Sequence, residues 1–157
     1  MNLQQLRKNL VELLEESQAH LAPDATTFRV PRRYRTVRPR GMLHSAWELL
    51  EHMRRAQEDI IRYTMDVSWK SPPFPEGYWP ENPPEISDKK WKVSVSSFLA
   101  DLDEVVSLAK NVEIDLTSLI PHGEGRTYLR QVLLVADHNS YHLGQFVQVK
   151  KALGLSV

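Results

Sequence analysis

The sequence of 157 residues contains no cysteine. This absence excludes disulfide bonds, thiolate metal ligands and a cysteine nucleophile, and it is compatible with a reducing compartment. The chain also lacks an excess of charge of either sign, because 20 lysines and arginines balance 20 aspartates and glutamates. A chain without net charge is not expected to be drawn as a whole to nucleic acid or to an anionic membrane.

Long apolar runs are lacking as well. Polar or charged residues interrupt every apolar stretch, so no segment is expected to span a bilayer. Residues 1–17 do not contain the apolar core that a signal peptide requires. We therefore expect a soluble, cytoplasmic protein. The length suits one domain, and we expect residues 1–157 to form it.

Four segments have apolar residues at every third or fourth position, which is typical of amphipathic helices. They are residues 2–21, 43–66, 88–111 and 126–153. The connections 22–42 and 69–87 contain three and six prolines, which exclude long helices there. No pattern typical of strands competes, so the sequence predicts an all-α protein, a four-helix bundle.

The two proline-rich connections differ in composition. Residues 22–42 carry six arginines between Arg29 and Arg40. Such a run is typical of a solvated loop, and the alternative is an anion-binding lip over a pocket. Residues 69–87 contain four aromatic residues: Trp69, Phe74, Tyr78 and Trp79. Aromatic side chains favour packing over disorder, so we expect this segment to cover the end of the bundle, with a lid as the alternative.

Three histidines form a candidate metal site. His138 and His142 are four residues apart, so both rings lie on one helix face and one ion can bind both. Asn139 stands where a zincin motif has its glutamate, so no built-in general base follows. His52 lies on an apolar-containing face of the second predicted helix.

Sites in helical bundles are built from inward-pointing side chains of facing helices. His52, His138 and His142 therefore predict one metal site, and an ordinary helical core is the rival interpretation. Three protein ligands leave a position open for water or substrate, which is the pattern of catalytic zinc.

Five further residues are candidates for smaller roles. Glu48 and Asp59, near His52 on the same helix, are candidates to accept a hydrogen bond from a ligand imidazole or to bind the ion, and solvated carboxylates are the alternative. We expect His20 to end the first helix and to favour its dipole. His44 is predicted to have a loop or capping role. His122 is predicted to be an exposed loop residue, with a proton carrier in a pocket as the alternative.

Two motifs and one short element resemble the DinB-like (YfiT-like) metal-binding superfamily over nearly the whole chain. They are HSAWELLEHM at residues 44–53, DHNSYHLGQ at residues 137–145, and YWP at residues 78–80. The resemblance implies an up-down-down-up four-helix bundle, commonly a homodimer. It also implies three histidines that hold a divalent metal, typically nickel or zinc, and residue by residue these are His52, His138 and His142.

The same resemblance implies a choice of functions. Relatives include thiol-dependent transferases and a thiol-dependent isomerase, in which the metal activates a low-molecular-weight thiol. We therefore expect a metal-dependent thiol transferase or hydrolase that acts on a small molecule. Because the chain has no cysteine, the thiol is a cosubstrate, and the arginine-rich connection is a candidate to hold its carboxylates.

Two other functions stay open on the sequence. One is a non-catalytic metal-binding or interaction bundle whose ion stabilises the fold. The other is a nucleic-acid-binding module that uses Arg29 to Arg40, and the zero net charge and the lack of a known motif count against it.

Overall fold

The computed structural model describes residues 2–17 and 19–157. This part of the chain contains four α-helices, one short 3-10 helix and no β-strand. The α-helices are α1 (Leu3–Glu15), α2 (Ala46–Met65), α3 (Asp88–Lys110) and α4 (Tyr128–Ala152), and the 3-10 helix is Arg32–Tyr34. The predicted all-α helical bundle is confirmed. Within the described ranges, no helix is both long enough and apolar enough to cross a membrane.

Helices α2 and α3 run parallel. Trp47 lies beside Trp91 near their beginnings, with ring centroids 6.4 Å apart, and Arg62 pairs with Glu104 at 2.6 Å further along both. To join two parallel helices, the chain must return from the end of α2 to the level of its beginning before α3 starts. The proline-rich residues 66–87 form that connection, which explains its length.

Helix α4 runs antiparallel to α2. His52 contacts His142, and Gln57, further along α2, accepts a hydrogen bond from Asn139, which lies earlier on α4. The relative directions of α2, α3 and α4 are therefore those of the predicted up-down-down-up order. This arrangement faces the histidine of α2 toward the histidine pair of α4.

Capping side chains start the three long helices. Ser45 and Glu48 form a reciprocal capping box at the start of α2. The hydroxyl of Ser87 accepts the backbone N–H of Lys90 at the start of α3, and Thr127 caps α4 in the same way. These caps fix where each helix begins. The beginnings of α2, α3 and α4 lie within three residues of the positions predicted from the apolar pattern.

Helix α1 is shorter than predicted, because it ends at Glu15. The hydroxyl of Ser17 accepts the backbone N–H of Ala22, a local bond that competes with helix continuation. The prediction that His20 ends the helix is therefore wrong: His20 lies beyond it, with Nε2 2.8 Å from the hydroxyl oxygen of Ser140 on α4. Gln18, inside the predicted helix, lies outside the described residues.

The arginine-rich connection is partly buried rather than solvated throughout. Arg35 is 7% exposed, donates to two backbone carbonyl oxygens and pairs with Asp88 at 2.7 Å. Arg32 pairs with a glutamate of the proline-rich connection, and Arg38 pairs with Glu48. The solvated-loop prediction therefore holds for the other five arginines, which are exposed, and is wrong for Arg35 alone.

Candidate metal centre

The antiparallel packing of α2 and α4 brings His52, His138 and His142 together. Nε2 of His52 lies 3.1 Å from Nε2 of His142 and 3.2 Å from Nε2 of His138. One ring nitrogen from each residue lies within 4.8 Å of the other two. His52 and His142 are buried and His138 is half-buried. The three predicted rings therefore share one point in the fold.

These nitrogen separations fit a single ion. Two nitrogens bound at about 2.0–2.1 Å to one ion lie about 2.9 Å apart at a right angle and about 3.4 Å apart at a tetrahedral angle. The observed separations of 3.1 and 3.2 Å lie between these limits. The triad is thus compatible with one face of either a tetrahedral or an octahedral site.

The outer ring nitrogens orient two of the imidazoles. Nδ1 of His52 donates to the carbonyl oxygen of Tyr78 at 3.3 Å, and Nδ1 of His142 donates to Oε1 of Gln145 at 2.8 Å. A neutral imidazole that donates through Nδ1 carries a lone pair on Nε2. Two such lone pairs at 3.1 Å repel each other unless a cation lies between them. The donor set therefore fits a metal ion. The hydrogen bonds at the Nδ1 atoms hold both rings in the orientation that ligation through Nε2 requires.

Burial keeps these histidines neutral. Burial, together with the neighbouring His142 and His138, lowers the pKa of His52 to about 3. Burial and His142 together lower the pKa of His138 to about 4, and burial also lowers the pKa of His142. Near neutral pH all three rings are in the uncharged form, which is the form that ligates metals.

Trp79 packs directly against the triad. Its ring is stacked on His52 with centroids 3.8 Å apart and on His44 with centroids 4.0 Å apart. Together with the Tyr78 carbonyl, this stacking fixes the plane of the His52 ring. His44 lies in the loop before α2, as predicted, and it also lines the cleft beside the triad.

The proline-rich connection runs along the side of α2. Trp69 Nε1 and the hydroxyl of Tyr78 both donate to the carboxylate of Asp59, and Trp47 Nε1 donates to the carbonyl oxygen of Glu81. These contacts extend from the first turn of α2 to its last third. The prediction that the segment covers the end of the bundle is therefore wrong, and it forms part of the wall of the site instead.

Neither candidate carboxylate belongs to the histidine group. Glu48 accepts hydrogen bonds from Arg38 and from the backbone N–H of Ser45. Burial raises the pKa of the Glu48 carboxyl, but Arg38 and Ser45 outweigh it, so the pKa is lowered. Asp59 accepts from two aromatic side chains of the connection. Both carboxylates therefore bind groups of the neighbouring segments rather than a ring of the triad or an ion held by it.

The triad lies in the wall of an open cleft of about 880 Å³. Besides the histidines, the cleft is lined mainly by apolar and amide side chains: Met42, Leu43, Leu49, Phe74, Trp79, Tyr141, Gln145, Gln148 and Val149. No lysine, arginine, aspartate or glutamate lines it among the described residues. The six arginines therefore do not form an anion-binding lip over this cleft.

His122 lies away from the cleft. Its Nε2 is 2.7 Å from the carbonyl oxygen of Tyr63, and its ring packs edge-on against the Tyr63 ring. The ring is half-buried rather than exposed. The predicted loop position of His122 is therefore confirmed, whereas its predicted exposure and the alternative role as a proton carrier in the cleft are wrong.

Sequence reasoning did not assign a role to Gln145 or to Trp79. The signal for Gln145 was available, since a residue three positions after a helical ligand lies on the same face of the helix. The signal for Trp79 was only the aromatic character of its segment, because its contact with His52 depends on the path of the connection.

Comparison with known proteins places the chain in a family. Neither a search of curated proteins nor a search of solved structures gave a match. The family model described as the DinB superfamily matches residues 2–146, a stretch that begins before α1 and includes all three histidines. The chain therefore belongs to the DinB superfamily.

Proposed function

We propose that this chain is a divalent-metal-dependent enzyme that acts on a small molecule, as a thiol transferase or a hydrolase, with His52, His138 and His142 as metal ligands. The observation that carries this proposal is the three converging nitrogens in the wall of a cleft of about 880 Å³. Within the described part of the chain, no carboxylate joins the group. Three protein ligands leave a position for water or substrate.

The residues of the chain supply orientation and an apolar surface. A divalent ion with an open position lowers the pKa of a water or thiol that binds it, which makes a nucleophile near neutral pH. Gln145 and the Tyr78 carbonyl hold the ligand rings in place. Leu43 and Phe74 line the cleft and offer a substrate apolar contacts. A thiol nucleophile is a cosubstrate, because the chain has no cysteine.

The family resemblance favours zinc or nickel, and imidazole ligands suit both metals. It also supports a homodimer, which light scattering of the purified protein tests directly. We expect no nucleic-acid partner, since three of the six arginines in the basic connection are already paired with carboxylates. A steep salt dependence of binding to DNA or RNA would contradict that expectation.

A non-catalytic metal-binding or interaction bundle is the second candidate. A closed site with four protein ligands and no cavity would favour it. The large cleft beside the triad instead favours an ion that substrates reach. The two functions therefore differ in one property, the access of small ligands to the ion.

Cobalt substitution tests that access. The protein is loaded with Co²⁺, and visible spectra are recorded during titration with azide and with low-molecular-weight thiols. We expect azide to change the ligand-field bands and a thiol to add a thiolate-to-cobalt charge-transfer band. A spectrum that neither ligand changes would overturn the enzyme proposal and favour the structural role.

Catalysis is then measured with the zinc- and nickel-loaded protein. The substrates are a panel of electrophiles with thiols and a panel of activated esters and amides. We expect turnover in wild type and in the His122→Ala control, which keeps the triad, and loss of turnover in His138→Ala. Turnover with thiols alone supports the transferase, and turnover with water supports the hydrolase. Equal turnover in His138→Ala and wild type would contradict catalysis at this site.

A further inference from the structure

A second cavity of about 860 Å³ lies between the arginine-rich connection, α3 and the last residues of the chain. It shares no lining residue with the metal cleft. Its volume falls in the range of small-molecule sites, about 300–1,000 Å³. None of the roles assigned to the histidine triad uses this cavity.

The cavity combines apolar walls with positive charge. Its main apolar lining residues are Phe28, Val30, Trp91, Val95, Leu99 and Leu155. The side chains in its lining that carry charge are all basic, namely Arg29, Arg35, Lys92 and Lys150, and none is acidic. Arg35 is already neutralised by Asp88, so it is not a free cation. An apolar pocket with unpaired cations is complementary to an anion that carries a hydrocarbon group.

Lys150 is the cation that needs a partner. It is 3% exposed, and its ammonium donates one hydrogen bond, 3.0 Å long, to the carbonyl oxygen of Thr27. An ammonium has three donors, and among the described residues no carboxylate lies within ion-pair distance of this one. Removing an uncompensated charge from water is costly.

Asp24 is the acid whose charge influences this lysine, and it does not neutralise it. Its carboxylate accepts the backbone N–H groups of Thr26 and Thr27 and makes no ion pair with Lys150. Burial lowers the pKa of the Lys150 ammonium, and the charge of Asp24 only partly opposes that effect. The buried end of the cavity therefore keeps a cation without a counterion.

We propose that this cavity binds an amphiphilic monocarboxylate, with the carboxylate at Lys150 and the hydrocarbon chain along Phe28, Val95 and Leu99. A single buried ammonium matches a single negative charge. The apolar side chains around it favour a hydrocarbon body over a second polar group. This site is separate from the metal cleft and does not depend on the function proposed for it.

Calorimetric titration with octanoate tests the proposal, with 1-octanol as the uncharged ligand of equal chain length. We expect octanoate to bind at least tenfold more tightly than octanol. Lys150→Met keeps a long apolar side chain and removes the charge, and we expect it to weaken octanoate at least tenfold while octanol changes less than twofold. Lys151→Met is the matched control, because Lys151 is the adjacent, exposed lysine of α4. We expect it to change octanoate binding less than twofold.

Two further variants keep the result decisive. His138→Ala should bind octanoate like wild type, because a carboxylate held by the metal centre would instead lose affinity there. Ser96→Trp places a large ring at an exposed lining position and should weaken octanoate and octanol alike, even if Lys150→Met does not fold. Circular dichroism verifies the fold of each variant. Unchanged octanoate binding in a folded Lys150→Met, or in Ser96→Trp, would overturn the proposal.

Discussion

The ring of His52 is oriented by residues that lie far from it in the sequence. Trp79 stacks on one imidazole plane, and the Tyr78 carbonyl accepts from Nδ1. His142 is oriented within its own helix, by Gln145. Such outer contacts fix the tautomer and the direction of a ligand, and they contribute to metal affinity without touching the ion.

Gln145→Leu tests this orienting role. The leucine keeps the size of the side chain and removes the acceptor for His142 Nδ1. We expect metal affinity to fall by about 10–100-fold, the usual effect of losing such a partner. The measurement is competition with a chromogenic chelator. Gln148→Leu is the control, since Gln148 also lines the cleft, and it should keep wild-type affinity. Equal affinities in the two variants would contradict the role of Gln145.

His138→Ala tests ligation itself. We expect the variant to lose bound metal and to keep its helical circular dichroism, because the apolar faces of the helices hold the bundle. His122→Ala should retain metal, since its ring binds a backbone carbonyl away from the cleft. Metal content is measured by elemental analysis of protein purified without an affinity tag. Full occupancy in His138→Ala would exclude it as a ligand, and complete unfolding would indicate a structural ion.

Helix α2 depends on its first turn to present His52. Ser45 and Glu48 cap that turn, and Arg38 holds the Glu48 carboxylate from the preceding connection. The same carboxylate thus closes the capping box and anchors the arginine-rich segment. The basic run contributes to the site indirectly, by fixing the beginning of the helix that carries a proposed ligand.

This anchor predicts a pH dependence of stability. The folded pKa of Glu48 is lowered, so its contribution is fully present above the unfolded pKa of about 4.3 and is lost as pH falls through the folded value. Glu48→Gln should therefore destabilise the protein at pH 7, and its difference from wild type should shrink on acidification toward pH 3. Urea unfolding at a series of pH values measures that difference.

The control for this titration is Glu12→Gln. Glu12 belongs to an exposed i,i+4 pair with Lys8 on α1, and such pairs contribute only about 0.3–0.5 kcal/mol. We expect a small difference from wild type at every pH. A Glu48→Gln difference that stays constant on acidification would contradict the anchoring role.

The whole molecule couples metal binding to folding. The proposed ligands come from two helices that are distant in sequence and meet only in the folded bundle. An ion that binds the folded state alone adds about 2.7 kcal/mol of stability at a hundredfold excess over its Kd. We therefore expect zinc or nickel to raise the Tm of wild type and of His122→Ala, measured by calorimetry. His138→Ala should show a much smaller rise, and an equal rise would place the ion elsewhere.

The features that could be predicted from the sequence are those set by residues close to one another along the chain. Helical periodicity located the long helices, because it depends on residues a few positions apart, and the structure adds the caps at Ser45 and Ser87. The His138–His142 pair was evident for the same reason, since a spacing of four residues defines one helix face. Helix α1 was overestimated, because the local bond from Ala22 to Ser17 is not visible in an apolar pattern.

By itself, the sequence determined four helices, a histidine pair on one helix face and the absence of any thiol ligand. The sequence also predicted, from the facing of helices and from the family resemblance, that His52 joins this pair, and the structure brings the three rings together. Tertiary structure alone decided that Trp79 stacks on His52 and that Arg32, Arg35 and Arg38 pair with carboxylates. It also decided that Lys150 is buried beside a second cavity. Local patterns specify helices because hydrogen bonds and caps join near neighbours. Contacts across many residues depend instead on how the helices pack and on the path of each connection.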